Sequence, residues 1–341
     1  MKPLVSILIP AFNAEKWVAD TIRSAVRQTW PRKEIIVVDD GSRDQTLAIT
    51  RQFSSKDLSV VTQANQGAAA TRNHAYSLCQ GDYIQWLDAD DLLAPDKIAR
   101  QMDAVGRGVG KRTLVSSAWG WFMHRFHKAN FAPTPLWCDL SPVEWLLRKM
   151  GQNLHMQTAT WLVSRELTEA AGPWNTQLLG DDDGEYFCRV LLGSDGTRFS
   201  PEARIYYRMS GSNSLSYIGR SERKIEAQFV SMELHIRYLR SLEDSERTRA
   251  ACVKYLQNWL LHFYPERLDI VQRAEQFAAT LGGRLQVPPP LSWKYAWIQK
   301  SLGWPLAKRA QVLLPRYRWS VVRSWDRALS HFDTRDLSHS C

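Results

Sequence analysis

Asp88, Ala89, Asp90 and Asp91 follow directly on an apolar run at 83–87 (YIQWL). Alternate side chains of an extended chain point the same way, so Asp88 and Asp90 can face one hard cation, which prefers oxygen ligands and keeps open positions for phosphate oxygens. A carboxylate cluster beside phosphates repels them, so a cation is electrostatically required, and the implied ligand is a metal-bridged diphosphate. Three further polar groups also end apolar runs: Pro10, Ala11, Phe12 and Asn13; Asp39 to Asp44 (DDGSRD); and Asn65, Gln66 and Gly67, running on to Arg72 and Asn73. A single acid at a strand end can merely cap the next helix. Four such ends converging on one crevice favour a ligand.

The elements that must position these groups alternate in period. Residues 4–9 (LVSILI), 34–38 (EIIVV), 58–61 and 83–87 read as strands covered on both faces. Between them Asn13 is expected to cap a helix through Gln28 with Trp17, Ile22 and Val26 on one side, Ser42 or Asp44 a helix through Phe53, and 67–79 is Ala-rich and helical. Strand alternating with helix implies right-handed crossovers, a parallel sheet and ligands at the carboxyl ends of its strands. The pattern is mixed from 97 to 216, with strands expected at 113–117, 159–163 and 204–209 and helices at 142–150 and 164–171. From Glu222 it is helical, at 222–242, 245–264 and 269–281, and PPP at 288–290 marks a linker.

Composition excludes several classes. Of 341 residues, 44% are apolar and 23% charged, an ordinary globular balance for about two units of ~150 residues. No stretch approaches the ~18 apolar residues of a membrane span. Pro3 and Pro10 bracket the first apolar run and no small-residue cleavage site follows, so a buried strand explains it better than a signal peptide. Cys79, Cys138, Cys188, Cys252 and Cys341 lack framework spacing and fit reduced thiols, hence a cytoplasmic location. Gly106, Gly108 and Gly110 lack the strand-then-helix context of a dinucleotide fingerprint, and no GxxxxGK[ST] phosphate loop occurs.

VSILIPAFNAEKWVADTIRSAVRQTWPRKEIIVVDDGSRDQT, NQGAAATRN and GDYIQWLDADD, running from Val5 to about Lys97, resemble in order and spacing the nucleotide-sugar-binding half of the family 2 glycosyltransferases. The resemblance implies a GT-A fold, an α/β architecture with a mostly parallel sheet flanked by helices, here with a C-terminal helical extension. It divides the chain into a catalytic unit at 1–218, with a nucleotide-sugar half at 1–97 and an acceptor half at 98–218, and a helical unit at 219–341. It implies that Pro10, Ala11, Phe12 and Asn13 line the nucleotide pocket, that Asp39, with Asp40 beside it, hydrogen-bonds the base, and that Arg72 lies against base and phosphates. Asp88 then meets the ribose side and Asp90 ligates Mn²⁺ or Mg²⁺. GPWNTQLLGDDDGEYFCRVL at 172–191 resembles the acceptor-side segment; counting back from Arg189 puts the catalytic base at Asp183, or at Asp182 if the register shifts by one. YYRMSGSNSLS at 206–216 resembles the loop after the base, which implies a diphosphate contact at Arg208; Ser210 stands where many relatives have a metal-binding His.

The chemistry agrees. Inverting displacement of a nucleoside diphosphate needs one carboxylate to take the acceptor hydroxyl's proton and a cation for the charge growing on the departing phosphate. The resemblance thus implies a metal-dependent inverting transferase using a nucleotide-sugar donor, UDP-linked, and a cell-envelope glycan or lipid-linked acceptor. The alternatives are a catalytically silent nucleotide-sugar-binding protein or a nucleic-acid binder. His155, Trp119, Trp121 and Trp161 could stack on sugar rings or simply pack a core, whereas His124 and His127 lack further ligands nearby.

The net charge of +9 is unevenly placed. Between 284 and 327, Arg284, Lys294, Lys300, Lys308, Arg309, Arg316, Arg318, Arg323 and Arg327 are opposed only by Asp326, and five of the fifteen Trp interleave with them. Cations with interfacial aromatics on short helices suit peripheral docking on an anionic membrane surface. The competing account packs those Trp residues onto the core. No RRM, KH or zinc pattern accompanies the segment, so nucleic acid is not expected as a partner.

Overall fold

The structure, a computed structural model, describes residues 2–210 and 221–330 apart from 107 and 109. The expected loop 206–216 therefore lies outside the described residues from 211 on, as does Cys341. In chain order the elements are β1 (Val5–Ala11), α1 (Val18–Val26), β2 (Lys33–Asp39), α2 (Thr46–Arg51), β3 (Leu58–Thr62), α3 (Ala68–Leu78), β4 (Tyr83–Trp86), β5 (Leu92–Leu93) and α4 (Lys97–Gly106). They continue with β6 (Thr113–Phe122), α5 (Pro142–Gln152), β7 (Val163–Ser164), α6 (Arg165–Ala171), α7 (Asp182–Gly193) and β8 (Gly196–Arg208). The chain ends in helices: α8 (Glu222–Leu242), α9 (Glu246–Phe263), α10 (Leu268–Thr280), α11 (Ala296–Leu302) and α12 (Trp304–Ser330).

The main sheet has the order β3-β2-β1-β4-β7, parallel but for the short β7. Alternate residues of β1 serve opposite faces, as a strand requires. Val5, Ile7 and Ile9 join Val18, Ile22 and Ala25 of α1 in one apolar cluster, while Leu8 joins Ile36, Val38 and Ala69 and Ala75 of α3 in the other. This two-sided burial is why the strands read as continuous apolar runs. The register sets Ala11 beside Asp39 and Asp39 beside Thr62, so the strand-end loops emerge side by side. A second sheet, β5-β8-β6, brings Arg208 at the end of β8 next to the loop that follows β4.

The second core cluster continues from the sheet into the C-terminal helices, where Phe229, Met232, Ile236, Tyr255, Leu260 and Phe263 join it. Ser141, Ser164 and Ser221 cap α5, α6 and α8 through their hydroxyls, and Ser245 and Thr248 form a capping box at α9. Among the described residues no helix is long and apolar enough to cross a membrane, and Cys79, Cys138, Cys188 and Cys252 are free thiols.

Several local expectations are corrected. Asn13 does not cap α1: its backbone is left-handed (φ 47°), and the helix starts only at Val18 after three turn residues. Val26 is 47% exposed, because the buried stripe of α1 runs through Val18, Ile22 and Ala25. Residues 159–163 are a 3-10 turn (Thr158–Thr160) leading into the two residues of β7, not a strand. Trp161 is buried against Trp145 and Phe187, and Trp121 packs on Trp319 of α12, so both are packing residues. Trp119 lies 5.2 Å from His155, ring centre to ring centre.

Candidate active site

The first two strand-end loops are tied together by the residue that does not cap α1. Asn13 donates its backbone N–H to Ser42 Oγ (2.9 Å), and its Oδ1 accepts from Arg43 N (2.9 Å). Pro10 and Ala11 close β1 and Phe12, nearly half exposed, follows them. Neither Ser42 nor Asp44 is the cap of α2, which falls on Gln45 without a side-chain bond; Asp44 Oδ1 accepts from Thr46 N (2.9 Å) just ahead of it.

Asp39 and Asp40, adjacent and both buried, do different things. Asp40 accepts four bonds: Gln63 Nε2 (2.8 Å) and Gln66 N (2.9 Å) on Oδ1, Asn65 Nδ2 (3.1 Å) and Gly67 N (2.8 Å) on Oδ2. Both its oxygens organise the third loop, in which Gly67 takes φ 90°. Asp39 accepts from Ser42 N (3.3 Å) and Thr62 Oγ1 (3.1 Å) through Oδ2 alone. Its Oδ1 is buried with no protein partner among the described residues. A buried carboxylate oxygen without a donor is costly and marks a place for a ligand N–H.

The fourth loop holds the acid cluster. Asp91 is wholly buried, accepting from Arg208 N (2.8 Å) and from Gln157, which makes it a structural tie between loop and β8. Asp90 is pushed up to about 6, first by burial and then by the Asp88 carboxylate, against which the Ser210 hydroxyl acts in the opposite sense. Arg208 donates Nε to the Asp90 carbonyl (2.8 Å) and lies between the Trp17 and Phe122 rings, 4.3 and 4.5 Å from their centres. Its Nη2 and the Nε of Arg72 are buried without hydrogen-bond partners among the described residues. Asp88 and Asp90 are the chemistry of a hard-cation site: two crowded carboxylates, with no group of three acid, His or Cys ligands among the described residues. An ion there would keep positions open for phosphate oxygens.

The three aspartates at the start of α7 are separated by their partners. Asp181, left-handed at φ 55°, accepts from Ser231 Oγ (2.6 Å) and Gln228 Nε2 (3.2 Å) and is an anchor to α8. Behind Ser231, His235 meets Tyr255 Oη (3.1 Å), and burial pushes its imidazole down to about 3. Asp182 accepts from Arg72 Nη1 (2.8 Å), whose Nη2 donates to Asp88 (2.7 Å); Arg72 also stacks on Trp174 at 4.4 Å. Burial pushes Asp182 up to about 6 even though Arg72 opposes the shift. Asp183 accepts from Thr158 Oγ1 (3.2 Å). Glu185 is taken up by Arg189 (2.6 Å) and Tyr238 Oη (2.7 Å).

Arg72, Asp88, Asp90, Asp182, Asp183 and Arg208 thus form one charged cluster, in which Arg72 joins Asp88 to Asp182 and Arg208 meets the Asp90 carbonyl; Asp39 ends β2. The sequence reading missed Thr158, Gln157, Trp17 and Trp174. Gln157 and Thr158 are polar residues at the start of HMQTATWLV, ahead of the apolar Trp161, Leu162 and Val163, and that is the signal they left.

A parallel sheet with an acidic, arginine-bridged crevice at its strand ends defines an α/β fold of the GT-A type. Residues 6–161 match the model of the family described as Glycosyl transferase family 2. It is 41% identical to an uncharacterized glycosyltransferase of Haemophilus influenzae over 104 residues, 30% of this chain and 42% of that one. It is also 41% identical to the chondroitin synthase of Escherichia coli over 145 residues, 38% of this chain and 21% of that one. The match therefore spans well under half the length of these relatives. Among solved structures, that of S. aureus TarS 1-349 in complex with UDP-GlcNAc superposes with a TM-score of 0.64 over 95% of this chain and 92% of that one, at 18% identity. The mannosyltransferase PcManGT of Pyrobaculum calidifontis, in complex with GDP-Man and Mn²⁺, gives 0.53 over 98% and 89%, at 18% identity. These likenesses establish the fold.

Proposed function

We propose that the chain is a metal-dependent, inverting glycosyltransferase that moves a sugar from a nucleoside-diphosphate donor, UDP-linked, to a hydroxyl of a cell-envelope glycan or a lipid-linked acceptor. The observation that carries this reading is the Arg72 fork. One guanidinium holds Asp88 of the loop after β4 and Asp182 of α7, which sets Asp183 in the same crevice as Asp88 and Asp90. The UDP-GlcNAc bound by TarS and the GDP-Man and Mn²⁺ bound by PcManGT support a nucleotide sugar and a divalent ion for this fold.

In this reading Asp39 Oδ1 receives an N–H of the base, and Pro10, Ala11, Phe12 and Asn13 line the nucleotide. Asp90, with Asp88 beside it, would hold Mn²⁺ or Mg²⁺, which when bound neutralises charge on the departing diphosphate. Arg208, whose Nη2 makes no hydrogen bond among the described residues and lies 3.8 Å from Asp20 Oδ2, faces the same phosphate charge. Asp183 accepts the proton of the acceptor hydroxyl as its oxygen bonds to the anomeric carbon. The bond from that carbon to the diphosphate oxygen breaks with its electron pair, and nucleoside diphosphate leaves. Asp182 is less suited to the role because Arg72 already holds it. The domain division of the sequence reading, a catalytic unit at 1–218 and a helical unit at 219–341, belongs to the same proposal.

The test is a thermal-shift panel of nucleotide sugars with and without Mn²⁺, followed by transfer assays with Asp183→Asn and Asp90→Asn. A shift for one donor that needs the ion, and losses of about 10²–10⁴-fold in transfer for Asp183→Asn with donor binding retained, are expected. Full transfer in both variants would sink the assignment. Donor binding without any release of nucleoside diphosphate would favour the catalytically silent alternative.

A further inference from the structure

The exposed apolar face of α12 has no partner among the described residues, and we infer that it is a docking surface for an anionic lipid bilayer. Leu306, Leu313, Leu314, Tyr317, Val321 and Trp325 are all exposed, Tyr317 by 74% and Trp325 by 68%. At an ideal 100° per residue, taken as continuous across Pro315 inside the helix, these six fall within an arc of about 120°. Arg309 and Arg327 border that arc on one side and Arg318 on the other, all three exposed. An apolar stripe with aromatic members between cationic margins is the pattern of a helix lying in the plane of a membrane interface.

The opposite face of the same helix is taken. Trp304 meets Tyr264 edge-on at 5.0 Å, Lys308 pairs with Glu266, Trp319 meets Trp121 at 5.1 Å, and Asp326 accepts from Arg125 Nε (2.8 Å) and His124 N (2.9 Å). The helix is held by one face and presents the other. Trp293 and Trp297, before and within α11, are likewise 81% and 65% exposed.

Charge selects the occupant. Asp326, the one acid between 284 and 327, is engaged with Arg125, so the cations of this segment meet no acid within it. A second copy would bring the same cations opposite one another on both sides of the stripe. A nucleic acid would pair with the cations and leave the apolar stripe wet. An anionic bilayer matches both, lipid phosphates to Arg309, Arg318 and Arg327 and acyl boundary to the stripe. The surface also adjoins the crevice: His124, bonded through its N–H to Asp326, is 6.0 Å from the Trp17 ring, which underlies Arg208. The inference does not depend on which sugar is transferred.

The test uses the full chain, without donor or acceptor, sedimented with phosphatidylcholine vesicles containing or lacking phosphatidylglycerol. Binding is expected only with phosphatidylglycerol and should weaken as salt rises. Tyr317→Ser with Trp325→Ser should abolish it, and Arg309→Gln with Arg327→Gln should weaken it by about fivefold per arginine. Both double variants should melt at the wild-type temperature, since all four side chains are exposed. Equal binding to both vesicle types, undiminished binding by both variants, or a dimer in light scattering that the first variant disperses would each overturn the inference. So would tight oligonucleotide binding with indifference to vesicles.

Discussion

Arg72 and Asp182 are 110 positions apart in the chain and meet at 2.8 Å, with Asp88 taking the other arm of the same guanidinium. Arg72 is almost completely buried and its planar group stacks on Trp174, so its direction is fixed from above as well as from the two ends. A forked donor can hold two carboxylates at a set separation where an ammonium cannot. The consequence is mechanical: the loop after β4, which carries Asp88 and Asp90, and the start of α7, which carries Asp183, cannot move independently.

Replacing Arg72 by Met should therefore separate the two halves of the site and leave Asp182 and Asp88 without their counter-charge. We expect a loss of about 3 kcal/mol in urea unfolding, the low end for breaking a buried pair, and a fall in transfer of about 10²–10³-fold. Arg72→Lys should recover most of the stability and little of the rate. The double variant with Asp182→Asn should lose less than the sum of the singles, because the two share one interaction; strict additivity would mean that the bridge is incidental.

The sheet half of the molecule was legible because its information is local. Runs such as VSILI and EIIVV are apolar but for Ser6 and Glu34 since α1 and α3 cover both faces, and DADD is recognisable from spacing alone. What could not be read locally was the partner of each acid. Asp39 and Asp40 are indistinguishable in sequence, yet one is bound on both oxygens by residues 63–67 and the other keeps a bare oxygen. Asp181, Asp182 and Asp183 likewise differ only through Ser231, Arg72 and Thr158, which arrive from other elements. Asn13 was mistaken for a helix cap because its cross-loop bonds to Ser42 and Arg43 compete with capping, and 159–163 was mistaken for a strand because core packing, not pairing, buries it.

Asp39 and Asp40 should respond oppositely to truncation. Asp40→Ala leaves the backbone N–H groups of Gln66 and Gly67 without an acceptor, while Gln63 keeps Thr71 Oγ1 and Asn65 keeps the residue-40 carbonyl, and should cost about 3 kcal/mol of stability. Asp39→Ala removes two bonds and one unpartnered buried oxygen, so its stability cost should be smaller, about 1 kcal/mol. In our reading it should nonetheless weaken donor binding more than tenfold. Isothermal titration of the donor alongside urea unfolding checks both; a large stability loss with unchanged donor binding at Asp39 would reverse the assignment.

His235 gives the fold a specific acid sensitivity. Its folded value, near 3, lies below the 6.5 of an unperturbed imidazole because burial penalises the charge. Between those values the unfolded chain binds the proton and the folded chain does not, so stability is full above pH 6.5 and falls as pH drops toward about 3. The contribution should approach 1.4 kcal/mol per pH unit within that window. His235→Gln should remove this component, so the difference in unfolding free energy between variant and wild type should shrink steadily from pH 6.5 to 4. A constant difference would show that the imidazole already carries its proton in the folded protein.

Asp326 is the strongest polar tie between α12 and the catalytic body, and its carboxylate is held low chiefly by the His124 N–H and by Arg125, against the opposing effect of burial. Asp326→Asn keeps the shape and one acceptor but removes the charge partner of Arg125, whose side chain is about one-fifth exposed. A partly screened pair of this kind should be worth about 1 kcal/mol, too little to unfold the core yet enough to loosen a helix held otherwise by Trp304, Lys308 and Trp319. We expect the melting temperature to fall by only a few degrees, while trypsin cleavage after Arg318, Arg323 and Arg327 accelerates severalfold. Because Trp17 stands between His124 and Arg208, loosening α12 should also raise the KM for donor more than it lowers kcat. Unchanged proteolysis would mean that the aromatic contacts alone hold the helix, and an unchanged KM that the crevice does not sense it.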